Sequence, residues 1–265
     1  MQPGGITLSV MAGQSLDAIE QYLQQQSAQI AGIGADAQER LRTARVHVSG
    51  FGGLGNSLAF LLSTAGVGFI SANDPQNLEA ENLGRFVCGS PADVGRPKVE
   101  AAARFFSGNS YLAFEPLVAG NGSYLVDGFY QQADWIVCAS NTIESRIATA
   151  RKAIRYRKSL IDIAVADGRS SWMGFIKYKL PECSWAACPA CYLEPGAGME
   201  RGEALLFPII STTASLTAHL LLQLITGFGA EALRASNFIA MGLHPPYQIE
   251  TLAVRRRERC NICRT

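Results

Sequence analysis

The first 38 residues contain neither lysine nor arginine, which argues against a leader built of a basic region followed by an apolar one. Nowhere do the roughly 18 to 20 uninterrupted apolar residues of a membrane-crossing helix occur, so the chain reads as a cytoplasmic protein with no membrane partner. A charge excess is also missing. The 23 basic and 22 acidic residues leave a net charge of +1, which provides no overall basic balance for nucleic acid, and any polyanion must be bound locally. Histidine is scarce: His47, His219 and His244 stand isolated, and none is placed as a general base.

What is present suits an enzyme core. With 265 residues, 48% hydrophobic and 17% charged, the chain can bury one sizeable core. In residues 1–38, Ile6–Val10 alternates like a short strand and Ser15 is placed to cap a helix with Leu16, Ile19 and Leu23 on one face. We read this segment as an arm packed on the main domain or, alternatively, as an edge that recruits a peptide by strand addition. From Arg45 strands and helices alternate: Val46–Ser49, Asn56–Ala65 (helix), Val67–Ala72, Lys98–Phe106 (helix), Trp135–Ala139, Ile143–Arg157 (helix) and Leu160–Val165. That order predicts an α/β fold with a doubly wound, mostly parallel sheet and ligands at the carboxyl ends of its strands. Met173–Leu180 and Gln248–Arg255 read as antiparallel C-terminal strands. Ala214–Thr226 reads as a helix apolar nearly all round, buried in the core or against a second subunit.

The first strand runs into a turn containing Gly50, Gly52, Gly53 and Gly55. Such glycines serve a tight turn, close backbone approach to phosphate and close packing of helix on strand. Asp74 ends the next strand, where a ribose-binding carboxylate belongs. Arg85, in Asn82-Leu-Gly-Arg85, and Lys98, in Gly95-Arg-Pro-Lys98, add two cations that a nicotinamide dehydrogenase does not need and that displacement at a phosphoryl centre uses. Two Cys-x-x-Cys pairs, Cys188/Cys191 and Cys260/Cys263, predict a closed four-thiolate structural zinc site. Cys88, Cys138 and Cys183 are left unpaired by spacing. The run Arg255–Arg259 and helix Ile143–Arg157, with Arg146, Arg151, Lys152 and Arg155, read as solvated surfaces.

Together these motifs resemble the ubiquitin-activating-enzyme-like superfamily, in its bacterial ThiF/MoeB/HesA branch, over roughly residues 38 to 263. The resemblance implies an N-terminal arm (1–38) and an adenylation domain (39–265) of Rossmann-like fold, working as a homodimer with ATP and Mg²⁺. It implies adenylation of a carboxylate on a peptide or small ubiquitin-like protein with release of pyrophosphate. Gly50, Gly52, Gly53 and Gly55 would cradle ATP, Asp74 would hold the ribose, and Arg85 and Lys98 would hold the phosphates and transition state. Asn82 would help position the phosphate end.

Three positions depart from the family pattern. Asn141 stands where relatives carry an aspartate that helps bind Mg²⁺, which predicts weaker metal affinity. The crossover loop Tyr192–Phe207 has no cysteine, its position falling near Glu200, so no thioester forms at that site; Cys183 is a substitute only if it is not simply a buried thiol. The arm has no arginine to send into a partner's site, leaving Arg40 or Arg42 to serve. The alternative function is a degenerate, non-adenylating partner or peptide-binding subunit; a nicotinamide-dependent oxidoreductase is a distant third.

Overall fold

The computed structural model describes residues 16–168, 171–193 and 206–263; the expected strand Ile6–Val10 and most of the crossover loop lie outside them. Three short helices come first, α1 (Leu16–Gln25), α2 (Ser27–Ile33) and α3 (Ala35–Thr43). They are followed by β1 (Arg45–Ser49), α4 (Gly53–Thr64), β2 (Phe69–Asn73), α5 (Lys98–Phe106), β3 (Ala113–Leu117), α6 (Asp127–Gln132), β4 (Trp135–Cys138), α7 (Ile143–Arg155) and β5 (Ser159–Gly168). The chain continues through β6 (Ser171–Lys179), α8 (Pro189–Tyr192), α9 (Phe207–Thr226), α10 (Ala230–Arg234), β7 (Phe238–Gly242) and β8 (Gln248–Leu252).

One eight-stranded sheet has the order β3-β2-β1-β4-β5-β6-β7-β8. The strands from β3 through β5 pair parallel, and β6, β7 and β8 add antiparallel. The order reverses between β1 and β4, which is the topological switch point where such sheets open a crevice. Register sets Ser49 opposite both Asn73 and Cys138, so Gly50, Asp74 and the segment ending in Asn141 leave the sheet at one edge.

The core has two layers. On one face Val46, Val48, Leu58, Leu62, Ile161, Ile163, Ile176 and Leu221 are buried under α4 and α9; on the other, Val126, Tyr130, Ile136, Ala150 and Leu160 are buried under α6 and α7. By length and hydropathy α9 resembles a membrane-crossing helix, yet it packs on α4 and the sheet. Its solvent stripe is Pro208, Thr212, Ser215 and His219, three of them polar, at the spacing of one helix face. It begins seven residues before the expected Ala214, with Pro208 in its first turn, where proline is tolerated because the first amides have no intrahelical partner.

The arm packs on a different stripe from the one its leucines suggest. Ala18 and Tyr22 are buried, and Gln26 one turn further on, whereas Ile19 and Leu23 are only partly covered. The reason is polar. Tyr22 donates to the Gly66 carbonyl at 3.0 Å, Gln26 to Thr64 at 3.0 Å and Gln29 to Ala65 at 2.8 Å. These carbonyls end α4 and have no acceptor role left within the helix. Neutral amide and phenol donors satisfy them, each bond contributing about 1 kcal/mol, so the arm needs no cation there.

Candidate active site

The glycine turn folds as its spacing implies. Gly50 has φ +90°, and a Cβ on it would lie 2.9 Å from the Ser140 amide nitrogen. Gly55 lies so close to the turn that a Cβ would meet the Gly50 carbonyl oxygen at 2.1 Å. Gly52 faces open space, and the first amides of α4 behind it carry no side-chain cap. An uncapped helix N-terminus under an open glycine is suited to phosphate. A Cβ on Gly53 would lie 3.4 Å from Arg85 Cδ, so the arginine stem crosses the turn.

Asp74 is 6% exposed. Its Oδ2 accepts from the Phe51 amide at 2.7 Å and its Oδ1 from the Gln76 amide at 2.8 Å. The carboxylate therefore fastens the glycine turn and retains lone pairs for further donors. Lys98 is 7% exposed, and its Nζ donates to Gln76 Oε1 at 2.8 Å. Gln76 thus bridges Asp74 and Lys98, a role invisible in the motif. Arg85 keeps about a quarter of its side chain exposed and donates to the Glu81 carbonyl at 3.0 Å.

Asn82 is buried at the start of the segment that carries Arg85. Its Oδ1 accepts from the Glu79 amide at 3.2 Å, closing a capping box on the 3-10 turn Ala80–Arg85; it shapes the segment that presents Arg85. Asn56, unremarked in the motif, is fully buried and donates to the carbonyls of Gly52, Gly53 and Arg85 at 2.8, 3.0 and 3.0 Å, while accepting from the Val87 amide at 2.7 Å. One amide side chain so clamps turn and arginine segment together. Asn141 is exposed, next to Ser140 and before Thr142, the N-cap of α7.

Beneath the crevice lies a buried polar network that periodicity reads as ordinary strand. His47 Nε2 donates to Asn73 Oδ1 at 3.0 Å and its Nδ1 accepts from Ser71 at 2.9 Å, the tautomer assigned from Asn73 Oδ1 being an acceptor. Asn73 donates to Asn121 at 2.7 Å, Asn121 to Ser140 at 2.6 Å, and Ser140 to the Ser49 carbonyl at 3.2 Å. The residues just before Gly50, Asp74 and Asn141 are thereby joined. Burial pushes His47 down to about 4, against the Asn73 bond, so the ring is neutral, with both nitrogens engaged inside the network.

The arginines expected to serve a neighbouring site are engaged elsewhere. Arg42 is buried and paired with Glu39 at 2.7 Å, and Arg40 donates to the Thr226 carbonyl at the end of α9 at 2.7 Å. The supposed solvated face of α7 also divides: Arg146 is buried in an ion pair with Asp162, and Lys152 pairs with Asp127.

The four cysteines of the two pairs converge. Sγ separations are 3.9 Å for Cys188–Cys191, 3.7 Å for Cys188–Cys260 and 3.5 Å for Cys191–Cys263, and all four sulfurs lie within 4.8 Å of one another. A tetrahedral zinc with Zn–S of about 2.3 Å requires sulfurs about 3.8 Å apart, so the residues fit that ion. The Arg257 amide points at Cys191 Sγ at 3.5 Å, a bond suited to a thiolate. Cys183 is buried, and burial raises its thiol above the ordinary range, which suits an inert thiol.

A glycine turn at the switch point of a mostly parallel sheet, antiparallel C-terminal strands and a cluster of four cysteines define the class, a Rossmann-like α/β protein. The chain belongs to the ThiF family, whose model matches residues 24–262. It is 32% identical over 241 residues to the vegetative protein HesA of Trichormus variabilis, covering 89% of this chain and 86% of that protein. It is 28% identical over 239 residues to the sulfur carrier protein adenylyltransferase of Thermus thermophilus, covering 87% and 86%. Among solved structures, E. coli MccB with MccA-N7isoASN superposes with a TM-score of 0.76 at 20% identity, covering 92% of this chain and 75% of that one; at that identity the likeness concerns the fold.

Proposed function

We propose that this chain adenylates a carboxylate on a peptide or small ubiquitin-like protein at the expense of ATP, without a thioester of its own crossover loop. The observation that carries this is one connected set of contacts: Phe51 to Asp74, Asp74 to Gln76, Gln76 to Lys98, and Arg85 across Gly53. Relatives support the class, since one is a sulfur carrier protein adenylyltransferase, and MccB is described in complex with N-formylated MccA.

In this reading the glycine turn and the α4 amides hold the phosphates, and Asp74 takes the ribose hydroxyls. A substrate carboxylate oxygen attacks the α-phosphorus as the bond to the bridging oxygen breaks, and pyrophosphate leaves with the electron pair. Arg85 and Lys98 stabilise the charge gathering on the phosphate oxygens. Asn141 would offer Mg²⁺ a neutral carbonyl oxygen in place of a carboxylate, and the ion, when bound, would supply charge neutralisation. The acceptor that follows is external sulfide, an amine or an amide of the substrate. Cys188, Cys191, Cys260 and Cys263 would hold a zinc ion in a structural role. We further propose a cytoplasmic homodimer.

The engaged Arg40 and Arg42 favour a second reading, a non-adenylating partner subunit. Pyrophosphate–ATP exchange with peptides bearing free C-termini separates the two. Exchange that Arg85→Ala abolishes supports adenylation; no exchange with any peptide, together with exchange appearing in Asn141→Asp, supports the partner subunit.

A further inference from the structure

Across the β5–β6 pair, Asp162 stands opposite Lys177, which stands opposite Phe238 on β7. Ile161, Ile163 and Ile176 point to the α9 side and are buried, so Asp162 and Lys177 lie on the other face. The Asp162 carboxylate is already engaged at both oxygens, by Arg146 and by the Tyr192 hydroxyl at 2.9 Å, and Arg146 also donates to the Ile163 carbonyl at 3.0 Å. Among the described residues one carboxylate thus faces two cations, Arg146 and Lys177.

The second of these cations is Lys177. Its Nζ lies 3.9 Å from the Tyr192 ring centre, 5.2 Å from Phe238 and 5.9 Å from Phe175. Among the described residues it forms no ion pair and donates no hydrogen bond to an acceptor. Lys179, two residues on along the same face, is engaged with the Cys183 and Ala186 carbonyls, and Glu250, on that face by register through Ala240 and Phe175, is exposed on the outer strand. Burial lowers the Lys177 ammonium from its ordinary range, Asp162 opposing and Arg146 adding. Rings attract a cation but accept no conventional hydrogen bond, and a partly desolvated ammonium with three unused donors is costly without an anion.

The nucleotide is out of reach for this cation. The glycine turn follows β1, three strands away and roughly 14 Å across the sheet. An extended substrate tail advances about 3.3 Å per residue, so it covers the distance from the crevice in about four residues. α9 covers the opposite face of these strands, and α7 and α8 lie over β4 and β5 on the Lys177 face, so such a tail would reach Lys177 along the β5–β6 pair, which runs on past the end of β4. We propose that Lys177, boxed by Tyr192, Phe175 and Phe238, determines substrate specificity by pairing with a carboxylate side chain about four residues before the reacting terminus. This deepens the adenylation reading and rests on it.

The test uses dye-labelled octapeptides with a free C-terminus and a single Asp at the third, fourth or fifth position from it, each against its Asn counterpart. Binding is followed by anisotropy with a non-hydrolysable ATP analogue present, and pyrophosphate exchange is run on the same peptides. One Asp position should bind about tenfold tighter than its Asn counterpart, as a charge-assisted bond provides. The preference should disappear in Lys177→Met and persist in Lys177→Arg, which also checks that the fold tolerates substitution. No preference at any position, or a preference kept by Lys177→Met, overturns the assignment. Preference without exchange keeps the Lys177 site and sinks adenylation; exchange without preference does the reverse.

Discussion

Gly52→Ala and Gly55→Ala should separate phosphate binding from folding. At Gly55 the added carbon would lie 2.1 Å from the Gly50 carbonyl oxygen and 3.2 Å from Val48 Cγ1. Real contacts of this type exceed about 3 Å, so helix α4 and the turn must part by about 1 Å, an overpacking that costs about 1 to 3 kcal/mol. A protein of this size then melts several degrees lower, and ATP binding falls with it. At Gly52, φ is −77° and nothing lies within 4 Å of the added carbon. Alanine fits that backbone, and stability should stay within about 1 kcal/mol of the unsubstituted protein. The methyl group would stand where a phosphate approaches, and ATP affinity should drop about tenfold or more. Differential scanning fluorimetry gives the melting temperature and equilibrium dialysis the affinity. Undiminished ATP binding by Gly52→Ala would show that no phosphate lies against this turn, and an unchanged melting temperature for Gly55→Ala would refute the packing argument.

Cys260→Ala leaves three thiols for a four-ligand ion; zinc content should fall well below that of the unsubstituted protein, with a loss of several kcal/mol in stability, read by metal analysis and thermal melts. His47, held at about 4 in the fold against about 6.5 in the unfolded chain, binds a proton more readily when unfolded. Its contribution is therefore fully present above pH 6.5 and is lost as pH falls towards 4, a change of about 3 kcal/mol that urea titrations at a series of pH values should show and His47→Gln should flatten. Gln76→Glu would turn the amide contact of Lys98 into an ion pair, raising the KM for ATP severalfold while leaving the melting temperature level or higher; an unchanged KM would mean that Lys98 does not meet the nucleotide.

The parts of the fold legible in the sequence are those whose cause is local. The glycine turn, the strands on either side of it and helix Lys98–Phe106 follow from periodicity and turn chemistry within a few residues. The strand Ala113–Leu117 was hidden because it carries Pro116 and buries little of its surface, and Phe238–Gly242 because five residues ending in glycine are too short for a pattern. Arg146 looks solvated until Asp162, sixteen residues on and in a different element, is placed beside it. Gln76 and Asn56 were missed for the same reason. Their roles depend on partners brought close by the sheet order, and a polar residue beside a motif signals only that it needs a partner. The cysteine pairs were the exception among long-range features, since metal-ligand spacing implies its own tertiary contact.

The central claim is attack of a substrate carboxylate on the α-phosphorus of ATP. Its most direct test is to supply an exchange-active peptide with heavy oxygen in its C-terminal carboxylate and to follow the label by mass spectrometry after acceptor is added. One labelled oxygen should appear in AMP, with unlabelled pyrophosphate released. Label in inorganic phosphate alongside ADP would place the attack at the γ-phosphorus and contradict it.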